Sequence, residues 1–341
     1  MAVAADEALA GAAVCHGSGE AGALASLRRA GNALRSWIAC VAARAAAEWS
    51  STVYLLITDS GFQGAFDNAV VAAGQLLGLT PTVVALDTAS RDFFLARGIP
   101  VFFLPAQASQ LARAANLLRY VAVYHFLSHG VRVIYSDADV FLAGDPWALE
   151  VPGADLLVEA HSYDAEVCAG FFLAKPAQSV VELFGTVSDW IDTQDSEDTH
   201  RLALAFDFAI RARPNFAMSA WELPSLSQLG RHAAGLRWAF LPLGAVMHYT
   251  PPRQLLTPPG RVLLRDASES PVAVHLWNAA GQPDARILLA CMLGYWHAPE
   301  PPSVGSATRC KWCGHGWREL IDLGRYQWCR RDSNFSWSRG W

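Results

Sequence analysis

Along the chain, short apolar runs alternate with stretches whose apolar residues recur every three or four positions. The runs at 51–58, 82–86, 99–104 and 131–134 read as strands, the third interrupted by Pro100. Between them, 67–79 reads as a helix with Asp67 as its cap and Gly78 near its end. Helices are also predicted at 91–97, closed by Gly98, and at 106–129, closed by Gly130, with an Ala/Leu/Arg-rich helix at 22–48 before the first strand. In 106–129, Leu111, Ala115, Leu118, Ala122 and Phe126 share one face. Four strands alternating with helices before residue 140 predict an α/β fold, a mostly parallel sheet with helices on both faces.

After Pro146 the pattern changes. Strands are expected at 155–160 and 170–174, in an added antiparallel part, and again at 236–241 and 272–277. Helices are expected at 179–191 and 199–213, the latter stopped by Pro214, with an acidic loop at 192–198. Pro pairs at 251–252 and 258–259 bracket a loop.

The fourth run carries the chemistry. It ends Tyr135-Ser136-Asp137-Ala138-Asp139, and Asp145-Pro146 then turns the chain away. In open α/β sheets ligands sit beyond the carboxyl ends of the strands, where Asp137 and Asp139 fall. Two hard carboxylates there suit Mn²⁺ or Mg²⁺, and such a cation can hold a diphosphate as a leaving group. The competing reading is a strand end with two solvated aspartates.

Composition narrows the classes. With 341 residues, 52% of them hydrophobic, the chain can bury a sizeable core. A net charge of −5 argues against a nucleic-acid binder. Thirteen Trp supply flat apolar faces that suit sugar rings and packing alike. No apolar run reaches the ~18 residues of a transmembrane helix, and the Ala/Gly-rich start is a poor signal peptide. Of seven cysteines, Cys310, Cys313 and Cys329 cluster with His315 in the tail; disulfides are expected there before a zinc site. Asn334-Phe335-Ser336 is a glycosylation sequon.

These features together resemble the nucleotide-diphospho-sugar transferases of plant and algal type. The resemblance runs from about Ser51 to Arg286. Its strongest part is 130–146, an apolar strand followed by Ser-Asp-x-Asp-Val and then Asp-Pro. Strands ending at Thr58-Asp59 and at Asp87 fit as well, as does Ala169-Gly170-Phe171-Phe172, similar to the family's Asn-x-Gly-Phe segment. His275 with Gly281 is similar to its His-x-x-x-Gly region. Cys168 stands where the family usually has Asn, Asp198-Thr199 where it has Asp-Gln, and Arg286 where it has a late Lys.

The resemblance implies the glycosyltransferase-A fold, a Rossmann-like nucleotide half with a smaller acceptor-side region. The expected division is a helical extension (1–48), a nucleotide-sugar half (49–147), an acceptor and catalytic half (148–296) and a Cys/Trp-rich tail (297–341). The resemblance also implies a UDP-sugar donor, a polysaccharide or glycoprotein acceptor, and transfer with retention. Asp137, Asp139 and His275 would hold the metal, with Asp137 also near the ribose; His275 would favour Mn²⁺, against the reading of a core histidine. Thr58, Asp59 and Asp87 would meet uracil and ribose, against the reading of caps and turns. Arg119 or Arg113 would reach a phosphate, against a solvated helix face. Asp198 or Asp207 would face the anomeric carbon, with Asp164 and Glu166 as further candidates. The implied location is the Golgi lumen, with membrane association expected only through an upstream segment or a partner.

Two other classes stand beside this one. A phosphohydrolase can use an apolar strand ending in Asp-x-Asp, the first Asp as nucleophile, but here that strand is the fourth and Phe141 follows where a small hydroxyl residue is expected. A non-catalytic sugar- or nucleotide-binding protein of the same fold would account for the departures at Cys168 and Thr199.

Overall fold

The structure is a computed structural model that describes residues 15–18, 27–47, 51–107, 111–161, 166–193, 206, 210, 235–241, 246–248, 272–276, 286–287, 290 and 296–298. Its strands in chain order are β1 (His16–Ser18), β2 (Thr52–Thr58), β3 (Pro81–Ala85), β4 (Val101–Phe103), β5 (Arg132–Asp137), β6 (Val140–Leu142), β7 (Leu156–His161), β8 (Glu166–Ala174), β9 (Trp238–Phe240), β10 (Val246–His248) and β11 (Ala273–His275). The α-helices are α1 (Leu27–Ala47), α2 (Phe66–Ala72), α3 (Thr88–Leu95), α4 (Leu111–Ser128) and α5 (Gln178–Thr193).

Eight strands form one sheet in the order β1-β4-β3-β2-β5-β8-β7-β9. Neighbours are parallel from β1 to β5, β8 runs antiparallel to both β5 and β7, and β9 is parallel to β7. The sheet is therefore mostly parallel, as expected, and the antiparallel part is the insertion of β8 into the same sheet. A second sheet has the order β10-β11-β6.

Strand β2 is buried along its whole length, which a parallel sheet covered on both faces requires. The period of two divides its residues. Val53, Leu55 and Ile57 pack with Leu34, Trp37 and Ile38 of α1, Leu118, Ala122 and Phe126 of α4, and Leu183 and Phe184 of α5. Tyr54 and Leu56 face the other layer, with Phe66 and Ala72 of α2, Phe94 of α3, and β6 and β11. The face predicted for α4 is the one that packs: Leu118, Ala122 and Phe126 are buried, and Leu111 and Ala115 lie partly buried against them.

The glycine punctuation holds. Gly78, Gly98 and Gly130 end their helices at φ of 64°, 67° and 76°, the left-handed region that a Cβ penalises. Asp67 does not cap α2. Ala65 occupies the cap position with no side-chain bond, and the Asp67 carboxylate instead pairs with Arg97 at 2.8 Å. β1, β6 and β10 were not expected. A disulfide joins Cys15, just before β1, to Cys40 of α1. Among the described residues no helix is long and apolar enough to cross a membrane.

Candidate functional site

The carboxyl ends of β2, β3 and β5 meet at one edge. Ile57 lies in register with Asp137, so Thr58 and Asp59 emerge beside it. Asp87 caps α3: its Oδ1 accepts from the Ser90 N–H at 2.8 Å, and its Oδ2 accepts from the Ser60 N–H at 2.7 Å. Asp59 accepts from the Gly61 N–H at 2.7 Å. Burial pushes the Asp59 carboxyl up, and the Asp87 charge adds to that. Asp87 is held below the usual range, because bonds from Ser60 and Ser90 outweigh burial. These two acids thus serve as caps at the strand ends, and the structure ties them together through Ser60.

After Asp137 the chain turns through Ala138 and Asp139 into β6. Strand β11 pairs antiparallel with β6, placing His275 opposite Val140, and the Leu276 N–H donates to the Asp139 carbonyl at 2.9 Å. This pairing carries His275 to Asp139: Nε2 lies 3.3 Å from Oδ1. Arg286 Nη1 donates to the other oxygen of Asp139, Oδ2, at 2.5 Å. On α4, Arg119 points inward. Its Nη1 donates to the Ala169 carbonyl at 2.7 Å and lies 3.3 Å from Asp137 Oδ2. The Tyr135 hydroxyl donates to Asp137 Oδ1 at 2.5 Å.

Behind His275 lies Glu159 of β7, with Oε2 and Oε1 at 2.9 and 3.1 Å from Nδ1. Cys168 Sγ is 3.7 Å from the same nitrogen. His275 and Glu159 are each 1% exposed. Sequence reasoning missed Glu159; its signal was a lone acid inside the apolar run 156–160. It also gave no contact for Cys168, which is a free, buried cysteine.

Three acids meet two guanidiniums and one imidazole here, and burial amplifies every pairing. Burial pushes Asp137 up, against the lowering effect of Arg119. Burial also works to raise Asp139, but His275 and Arg286 overcome it and hold the carboxyl at about 2. Burial alone would lower His275; Glu159 and then Asp139 reverse this and raise it well above its ordinary value. Glu159 is pushed up by burial despite His275, and Cys168 is pushed up by burial to about 11, which keeps it a thiol.

Asp137, Asp139 and His275 each offer one ligand atom, all within 4.8 Å of one another. Two carboxylates and one imidazole nitrogen make a donor set suited to Mn²⁺, less so to Mg²⁺. The division of Asp139 also fits, with Oδ1 on the imidazole side and Oδ2 on the Arg286 side. Gly170 permits the close approach. A Cβ there would lie 2.3 Å from His275 Cε1 and 3.0 Å from Asp137 Oδ2. The residues present therefore fit a divalent cation. Asp198, Asp207, Asp164, Gly281, the tail cysteines with His315, and the side chains of Arg113 and Glu166 lie outside the described residues.

Residues 80–255, just over half of the chain, match the sequence model of the nucleotide-diphospho-sugar transferase family. No curated protein matches the chain. Among solved structures, mouse xyloside xylosyltransferase 1 in its apo form is 12% identical with a TM-score of 0.36, over 66% of this chain and 97% of that one. The apo glycosyltransferase GlyE of Streptococcus pneumoniae is 13% identical with a TM-score of 0.38, over 67% of this chain and 55% of that one. The galactosyltransferase LgtC, in complex with donor and acceptor sugar analogues, is 11% identical with a TM-score of 0.30, over 65% and 86%. Likeness at this level carries no argument about activity.

Proposed function

The chain belongs to the nucleotide-diphospho-sugar transferase family, and from that premise we propose that it transfers a sugar from a UDP-sugar to a polysaccharide or glycoprotein acceptor, with a divalent cation and with retention. One observation carries the reading: Asp137, Asp139 and His275 converge at the carboxyl end of β5, with a guanidinium beside each aspartate. Asp137, Asp139 and His275 would hold the cation. When bound, it would neutralise charge on the departing diphosphate. Arg119, locked to Asp137 and the Ala169 carbonyl, fixes the orientation of the first carboxylate. Arg286 brings a positive charge to the same edge, where a diphosphate needs it.

In the transfer, the bond from the anomeric carbon to the diphosphate oxygen breaks and a bond to the acceptor oxygen forms. The acceptor proton passes to the leaving diphosphate. Retention requires a group that shields or attacks the anomeric carbon, and Asp198 or Asp207 in the acidic segment is proposed for it. The Golgi lumen is the proposed location, supported by the Cys15–Cys40 disulfide, which belongs to an oxidising compartment.

A panel of UDP-sugars with Mn²⁺, read by UDP release, tests the activity. Turnover should disappear in EDTA and in Asp139→Ala. Full metal-dependent turnover in Asp139→Ala would sink the site, and a β-linked product from an α-linked D-pyranosyl donor, read from its anomeric proton coupling, would sink retention. One observation favours a second reading. Cys168 replaces the family's usual Asn and is buried against His275, which fits a protein that binds UDP without turning over any donor. UDP binding with no release from any sugar in the panel would establish it.

A further inference from the structure

Glu159 has no place in the scheme above, yet it is the most deeply set acid near the site. It lies on β7, where the pairing with β8 slips between Val158 and Glu159, so that Val158 faces Phe172 but Glu159 faces Cys168. Such an irregularity re-aims a side chain without breaking the strand. The extra residues, 169–171, lie on β8, so Glu159 keeps the face of Leu157, toward β11, and its carboxylate meets the imidazole edge that faces away from Asp139.

We propose that Glu159 is a positioning residue for the cation site: it accepts the Nδ1–H of His275, at 2.9 Å, and so presents Nε2 to the ion beside Asp137 and Asp139. The inference rests on the metal reading of those two aspartates. A neutral imidazole carries one N–H, and whichever nitrogen bears it cannot ligate. A carboxylate behind Nδ1 selects the tautomer, orients the ring and strengthens the other nitrogen as a donor. Nε2 is the nitrogen on the Asp139 side, so the selection is the productive one. Cys168 supports the same geometry. Its Sγ accepts the Gly170 N–H at 3.5 Å and lies 3.7 Å from Nδ1, on the Glu159 side of the ring. Glu159, Cys168 and His275 could instead form a buried metal site themselves. Against that, Nδ1 is already committed to the Glu159 carboxylate, with both oxygens within 3.1 Å.

The test is Mn²⁺ titration followed by electron paramagnetic resonance, with UDP present, on wild type, Glu159→Gln, Glu159→Asp and Asp139→Asn. Glu159→Gln should weaken Mn²⁺ about 10- to 100-fold, and Glu159→Asp should recover part of that loss. In Mg²⁺-loaded wild type, ¹⁵N NMR should show His275 protonated at Nδ1 and not at Nε2. This spectrum decides the matter even if Glu159→Gln fails to fold. Wild-type affinity in Glu159→Gln, or an Nε2–H tautomer in wild type, overturns the role of Glu159 while leaving the aspartates in place. Wild-type affinity in Asp139→Asn, or no Mn²⁺ binding by wild type, overturns the metal reading and this inference with it. A thiolate-to-cobalt charge-transfer band on Co²⁺ loading, lost in Cys168→Ser, would make Glu159 a ligand and refute the positioning role.

Discussion

Replacing Gly170 by Ala should damage the site far more than the fold. Gly170 has no positive φ, so alanine meets no backbone strain. A Cβ on the strand would gain about 0.5–1 kcal/mol from reduced chain freedom. The loss comes from space: the new carbon would lie 2.3 Å from His275 Cε1, and ordinary contact begins near 3.4 Å, so one partner must move by about 1.1 Å. β8 is held between β5 and β7, and cannot give. His275 must swing away from Glu159 and Asp139 instead. Overpacking of this kind costs about 1–3 kcal/mol, and the strand gain offsets part, leaving about 1–2 kcal/mol. For a chain of this size that lowers Tm by only a few degrees, roughly 2–4 °C per kcal/mol. A ligand displaced by about 1 Å can cost about 100-fold in rate. Initial rates of UDP release at saturating Mn²⁺, with a thermal melt of the same sample, read both quantities. Wild-type kcat and wild-type Mn²⁺ affinity in Gly170→Ala would refute the reasoning.

Three further outcomes follow from the geometry. Arg119→Leu removes the partner of a half-buried Asp137 and orphans the Ala169 carbonyl, so urea unfolding should show a loss of about 3 kcal/mol; a change below about 0.5 kcal/mol would mean the pair is solvated. His125 is held at about 4, by burial first and then by Arg35 and His129. Its folded pKa is depressed, so the unfolded chain binds more protons between pH ~6.5 and ~4, and stability falls as pH drops through that window. The ring is only half-buried, so the loss is on the order of 1 kcal/mol after screening; urea melts at pH 7 and 4.5 should differ less in His125→Gln, and an equal difference would refute the assignment. Changing both Cys15 and Cys40 to Ser opens a loop with a sequence separation of 25, which should cost about 3 kcal/mol by chain entropy, read as a lower urea midpoint; an unchanged midpoint would mean that other contacts already hold β1.

Much of the sheet was legible because its strands are buried on both faces and bounded by glycines. β2, β3 and β5 are apolar runs that no amphipathic helix would produce, and Gly78, Gly98 and Gly130 stand where left-handed residues must. β1, β6 and β10 are three residues long. β4, β9 and β11 are as short but lie within the longer predicted runs 99–104, 236–241 and 272–277. β1, β6 and β10 lie in no such run and are strands because another backbone runs alongside. Asp137 and Asp139 were legible by their place after an apolar run. Arg119 was found together with Arg113, because helical phase alone does not say which arginine of α4 turns inward. Glu159 escaped because an acid within Leu-Leu-Val-Glu-Ala is read as strand, and its partner is 116 residues away. The Cys15–Cys40 pair escaped because an odd number of cysteines with no regular spacing names no partners.

The pairing of β11 with β6 also sets an order of events during synthesis. The two aspartates and Glu159 leave the ribosome long before His275, and the eight-stranded sheet up to β8 can close without it. The chain can thus assemble most of its framework with Arg119 already holding Asp137, while Asp139 and Glu159 still lack their imidazole partner. Only when β11 docks does the imidazole arrive. Docking is then the step that brings the imidazole to both carboxylates, and a chain ending before residue 275 would lack the third ligand atom of the proposed cation site.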